Sequence, residues 1–299
     1  SATYSFQPTA AGSYFLGGLV FDAGNTGGTT IATGTGNNRM NIGASGIQMN
    51  AGTGAVTIGT SGSQGVNVTV NQNWTNNSSS LLTVSRTAVD DLAVAGTYTL
   101  TINGSGTGGV TIGTGMGDVN SASDANRLFA LVINSTGGNT TINGANTYTG
   151  GTTLTQGNLL LGNNAALGTG TLALNGGKIS SLSTASQAPA NNTTIGGDIT
   201  IGDATNNGKL TFSGSIGLGG ATRSLTTASA TEFSGVVSNG DITKLGASTL
   251  SLIGTSANTY SGLTTVSAGG LTLNKTSVEA IAGNLLVNGT GTLTLGAAD

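Results

Sequence analysis

Apolar residues in this chain fall two positions apart with a polar residue between them, and hardly ever at helical spacing. VTI stands at 56–58 and again at 110–112, VNVTV at 66–70, TLTI at 99–102, TLAL at 171–174, ITI at 199–201, TLSL at 249–252, LTL at 271–273 and TLTL at 292–295. Residues i and i+2 share one face of a strand, so each run predicts a short strand with one apolar face. Thr usually fills the other face, where its β-branch suits extended backbone and its hydroxyl suits water. Clusters of Gly, Asn and Ser separate the runs and supply tight turns. Two stretches, 123–132 (SDANRLFALV) and 276–282 (TSVEAIA), read either as one helical turn or as a strand after a loop.

The runs recur. Phe212, Phe233, Leu252, Leu271 and Leu293 follow one another at nearly even steps. GAVTIGTSG at 54–62 is echoed by GGVTIGTGMG at 108–117. A period of roughly 20 residues with one or two strands per period is the signature of a solenoid. The expected fold is therefore all-β, a parallel β-helix of roughly 20-residue coils, in one continuous domain over 1–299. At that period the chain makes roughly 14 or 15 coils, stacked about 4.8 Å apart into a rod about 70 Å long. An array of antiparallel β-sandwiches is the competing fold. It predicts strands of about five or more residues, larger aromatic anchors and hairpin dipeptides.

Composition narrows the chemistry. The 299 residues include 53 Gly and only 2 Pro, and 6% are charged, against about 25% in ordinary soluble domains. There is no Cys and no His, which excludes disulfides, thiol or imidazole catalysis and Cys-based zinc sites. Net charge is −3 and the eight cations are scattered, so no basic patch suits nucleic acid. No apolar run approaches the roughly 20 residues of a membrane span. The first residue is Ser and no signal peptide is visible, so we read the chain as a mature or excised piece of a larger precursor.

One segment repeats closely. ANTYTGGTTLTQGNLLLG at 145–162 is matched by ANTYSGLTTVSAGGLTL at 257–273. The fuller stretches, 145–177 (ANTYTGGTTLTQGNLLLGNNAALGTGTLALNGG) and 233–273 (FSGVVSNGDITKLGASTLSLIGTSANTYSGLTTVSAGGLTL), resemble the passenger-associated transport repeat of bacterial autotransporters. The second carries F-S-G, then K-x-G-x-x-T-L-x-L, then N-T-Y-S-G. The resemblance implies a right-handed parallel β-helix, export to the bacterial cell surface or beyond, and a role in passenger folding and transport rather than catalysis. The chain departs from that family in lacking a C-terminal membrane β-barrel within 299 residues. The repeat positions singled out are Asn146, Tyr148 and Gly150, with their counterparts Asn258, Tyr260 and Gly262. A carbohydrate-stacking role for the two tyrosines is weighed against packing on a neighbouring coil, which the repetition favours.

Reactive chemistry is sparse. Asp198, Asp203 and Asp241 could approach one another across coils, as the carboxylates of a polysaccharide-degrading β-helix would. Asp90 and Asp91 are the only adjacent acidic pair and read as a loop cap. GDATNNG at 202–208 and NSASDAN at 120–126 are weak metal-site candidates. SGTGGVTIGTG at 105–115 suggests a phosphate loop, but no Gly-Lys-Ser/Thr follows it. No catalytic residue, metal ligand or cofactor is assigned. Five of the twelve aromatics, Tyr4, Phe6, Tyr14, Phe15 and Phe21, are crowded at the N-terminal end. They read as a cap over an open solenoid end or as an assembly segment. The sequence predicts a non-enzymatic extracellular structural or adhesive β-helix, with self-association and surface or glycan ligands as its partners. A head-to-tail filament subunit and a polysaccharide-acting enzyme are the alternatives.

Overall fold

A computed structural model describes residues 2–6, 14–33, 40–59, 65–89, 95–121 and 124–296, without the side chains of 2–6, 88–89 and 119–126. Among them are 24 strands and no helix. The strands pair in parallel into a β-solenoid of about 12 turns. Among the described pairings one is antiparallel, where Val119–Ser121 folds back on Asp124–Ile142. SDANRLFALV thus enters a strand from Asp124, and 276–282 forms bends.

The chain divides into two compact units. The first holds Ser1–Thr152, Gln156–Leu159 and Ala166–Gly170; the second holds Thr153–Thr155, Leu160–Ala165 and Thr171–Asp299. The division passes through the strand Thr152–Leu161.

In the first unit one column of stacked residues runs Ala2, Thr29, Val56, Leu82, Val110, Thr140. Every step in it is longer than the uniform coil of roughly 20 residues expected from the sequence. The spacing of about 22 residues over the solenoid as a whole agrees with the expected period, while the coils in this column are longer and the turns number about 12 rather than 14 or 15. The paired strands of this column keep a residue-for-residue register across the longer coils. The inward positions Val56, Ile58, Leu82, Val84 and Ile112 are fully buried, each contributing roughly 1.5–3 kcal/mol. Trp74, stacked between Ile47 and Ile102, is also fully buried, and its indole N–H donates to Gln72 Oε1 at 2.9 Å. Asparagines at successive coils form an amide ladder: Asn134 Nδ2 donates to Asn103 Oδ1 (3.2 Å) and Asn103 Nδ2 to Asn73 Oδ1 (3.0 Å).

The second unit has the shorter period read from the sequence. Leu210, Thr231, Leu250, Leu271 and Leu293 stack in one column across it. Phe212 lies on Phe233 with ring centroids 5.6 Å apart, nearly perpendicular, and Phe233 lies on Leu252. The column then passes to Leu273, not Leu271, so the landmark series in the sequence changes to the neighbouring inward column at that point. The strand Leu285–Leu295 pairs with Thr264–Lys275. Leu286, Val287, Leu293 and Leu295 on it are exposed.

Candidate functional site

The repeated segment is the best-defined site, and it is built twice. In the first unit Asn146 links three coils. Its Oδ1 accepts the Met116 N–H (3.0 Å), 30 residues earlier, and its Nδ2 donates to Ala166 O (2.7 Å), 20 residues later. In the second unit Asn258 does the same: Oδ1 accepts the Val237 N–H (2.8 Å) and Nδ2 donates to Ala280 O (2.7 Å). Both asparagines are buried. An amide carries both an acceptor and a donor, so this one side chain satisfies a backbone group above it and another below.

Two residues on, the tyrosine turns inward. Tyr148 and Tyr260 are among the largest fully buried side chains. Their hydroxyls meet Thr152 Oγ1 (2.5 Å) and Thr264 Oγ1 (2.9 Å), at the start of the strands Thr152–Leu161 and Thr264–Lys275. Tyr148 packs edge-on against Phe129 at 5.5 Å. Neither ring is open to a sugar. Gly150 and Gly262 lie close against the preceding coil: a Cβ on Gly150 would meet Phe129 O, and one on Gly262 would meet the Asp241 carboxylate.

That carboxylate belongs to a partner not evident in the sequence. Asp241 Oδ1 accepts the Leu263 N–H (2.8 Å), and its Oδ2 accepts the Thr222 hydroxyl (3.0 Å). Beside the first copy, Asp118 Oδ2 accepts both the N–H and the hydroxyl of Thr149, and its Oδ1 accepts the Phe129 N–H. Asp198 accepts the Ser224 N–H (2.8 Å) one coil on. Asp203 closes its own turn, accepting the N–H groups of Thr205 and Asn206, and pairs with Lys178 at 3.2 Å. Desolvation pushes the Asp203 carboxyl up, but the bonds from Asn206, Thr205 and Lys178 outweigh it and hold it well below the carboxylate range. Glu232 accepts from Lys209 and Thr211.

Asp198, Asp203 and Asp241 therefore have separate sets of partners and form no cluster. Among the described residues no group of three or more Asp, Glu, His or Cys is placed to hold a metal. The Asp90–Asp91 pair, and the side chains that would define a site at 120–126, lie outside the described residues. In the Gly-rich 105–115 segment, 105–109 is a coil corner and leads into the strand Val110–Thr114. Gly106 N–H donates to Asn76 O and Gly108 N–H to Ser78 O, so those amides are committed to the preceding coil and cannot cradle a phosphate. Beside the second joint, residues 238–241 of the strand Val237–Leu245 and the loop 259–262 border an open polar groove of about 460 Å³. Asn239 there adopts φ 59°.

The N-terminal aromatics divide. In the strand Tyr14–Phe21, Phe21 is buried, Tyr14 half-buried and Phe15 65% exposed. Tyr4 and Phe6 lie on Ala2–Phe6, whose backbone pairs with Thr29–Thr33 and whose side chains are outside the described set.

Two cations are fully buried in the second unit. Lys244 Nζ donates to Leu245 O, Gly246 O and Ala268 O at 2.9–3.0 Å. Lys275 Nζ donates to Gly235 O, Ile253 O and Ser256 O at 2.9–3.3 Å. Three acceptors match the three N–H groups of an ammonium. Alternation could have located both lysines: Lys244 follows Ile242, and Lys275 follows Leu271 and Leu273, on the inward phase of their strands. Burial pushes Lys244 down to about 8 and lowers Lys275 as well, while burial raises the Tyr148 and Tyr260 phenols.

The signs give a pH profile. Between about pH 8 and the unfolded lysine value near 10.4, the unfolded chain binds more protons, so stability rises with pH. Above about pH 10 the unfolded tyrosines ionise while the buried ones do not, so stability falls. Urea midpoints from pH 7 to 11 should pass through a maximum near pH 10. A profile falling steadily from pH 8 would contradict the lysine assignment.

Among the described residues no helix is long and apolar enough to cross a membrane. Comparison with protein-family models, with curated proteins and with solved structures finds no match to this chain.

Proposed function

We propose that this chain is a non-enzymatic structural or adhesive β-solenoid of a bacterial cell surface. The observation that carries the reading is the twice-built coil joint. Its most repeated polar residues, Asn146 and Asn258, spend both ends of their amides on neighbouring coils. The carboxylates of Asp118, Asp198, Asp203, Asp241 and Glu232 are likewise engaged by groups within or between coils. Chemistry that an enzyme would aim at a substrate is here directed along the solenoid. The resemblance to passenger-associated transport repeats supports the extracellular location.

The test has two arms. Antibody raised against the chain should label the surface of intact producing cells, and the purified protein should release no new reducing ends or unsaturated sugars from a panel of polysaccharides. Labelling only after lysis would remove the surface assignment, and sustained cleavage would replace the structural reading with the enzymatic one.

A second reading, assembly into a filament, has its own support. The exposed Leu286, Val287, Leu293 and Leu295 line an edge strand of the kind that recruits further strands. That edge takes a following coil of its own chain as readily as one from a neighbour. A Val287→Lys, Leu295→Lys double variant should sediment as monomer where the parent associates. Equal association of the two would remove this edge from the interface.

A further inference from the structure

We propose that the first unit carries an ice-binding face, formed by an outward column of threonines. Thr30, Thr57, Thr83, Thr111 and Thr141 are in direct register on five successive coils. Each stands between two inward residues, as in Val56-Thr57-Ile58 and Val110-Thr111-Ile112, so alternation turns all five to the same outer face. Parallel stacking sets neighbouring hydroxyls about 4.8 Å apart, over roughly 20 Å. That interval is close to the oxygen repeat along one axis of hexagonal ice.

Three properties separate this column from an ordinary polar surface. None of the five hydroxyls is bonded to another group among the described residues, whereas Ser85, one column over, donates to Gly59 O. Two residues along the chain from the first four threonines stand Ala32, Gly59, Ser85 and Gly113, so no larger side chain rises beside the threonines on that side. The β-branch limits each threonine to few rotamers, which fixes a methyl and a hydroxyl on the same rigid sheet. A regular solid can then be met at five points with little ordering cost left to offset. Neither threonines nor these neighbours provide the aromatic platform a sugar ring would stack on, or the cations a phosphate polymer needs. An ordered lattice of water is the partner that the spacing and the neutral chemistry fit together. The proposal does not depend on a cell-surface location.

The test is direct. A solution of the 1–299 chain, held just below its melting point with a single ice crystal, should shape that crystal into facets and open a gap between melting and growth temperatures. Thr57→Tyr and Thr111→Tyr, which place a bulky ring in the plane, should abolish both effects. Thr272→Tyr, on the outer face of the second unit, should leave both intact, with circular dichroism checking that all three variants keep their strands. Unshaped crystals and no gap with the intact chain would overturn the proposal whatever the variants do. So would full activity in both first-unit variants, or retention of the intact chain on crystalline cellulose or chitin with no effect on ice.

Discussion

Asn258→Ala is expected to lower the unfolding free energy by about 2–5 kcal/mol, among the largest effects of any polar substitution in this chain. The loss comes from two buried backbone groups stranded together, the Val237 N–H and the Ala280 carbonyl, each costing roughly 1–3 kcal/mol unpaired. Asn146→Ala should do the same in the first unit through Met116 and Ala166. Asn258→Asp is the sharper variant. It keeps an acceptor for Val237 but sets a carboxylate oxygen against the Ala280 carbonyl, so it should be at least as damaging at neutral pH and partly relieved in acid. Denaturant titration followed by circular dichroism measures all three. If the Ala variants unfold within about 0.5 kcal/mol of the parent, the span of an ordinary surface change, the coil joint is not a stabilising element.

The second large effect is expected at Gly106. A Cβ there would fall on the Ser78 backbone nitrogen and oxygen and on the Asn77 carbonyl carbon, none of which is a flexible side-chain end. Gly106→Ala should separate two coils locally and destabilise by about 3 kcal/mol, at the upper end of overpacking costs. Gly217 is the control: nothing lies within 4 Å of its added Cβ. There Ala should be neutral, or stabilising by about 0.4–1 kcal/mol through the unfolded chain. The pair separates close packing of coils from a general preference for glycine. Equal effects at the two positions would exclude the packing account.

These two sites also mark what the sequence makes legible. Alternation in runs such as VTI at 56–58 and 110–112 gives strands, faces and parallel stacking directly, because a strand's side-chain period does not depend on how the chain reaches it. Coil length is another matter. It depends on how many residues lie between one paired strand and the next, which alternation does not record, so a period read from Phe212 and Phe233 holds near them and not between Thr29 and Thr140. The Asn and Tyr of the joint are visible because they repeat within one strand and its approach. Their partners are not, since the Asn146 acceptor bond reaches back 30 residues and that of Asn258 only 21. For the same reason Asp118 and Asp241 do not align when the two copies are superposed with Ala145 on Ala257. A side chain can be found from its own repeat; a contact between coils needs the coil length as well.

The paired asparagines have a consequence for how such a gene changes. Because Asn146 and Asn258 present the same acceptor upward and the same donor downward, unequal crossing-over between the two copies exchanges one junction for the other. A deletion of this kind would set Asn258 beneath Met116 and above Ala280, with both of its hydrogen bonds still available. The repeated segment thus acts as a splice point, at which the protein can be shortened or lengthened by whole coils in a single genetic event.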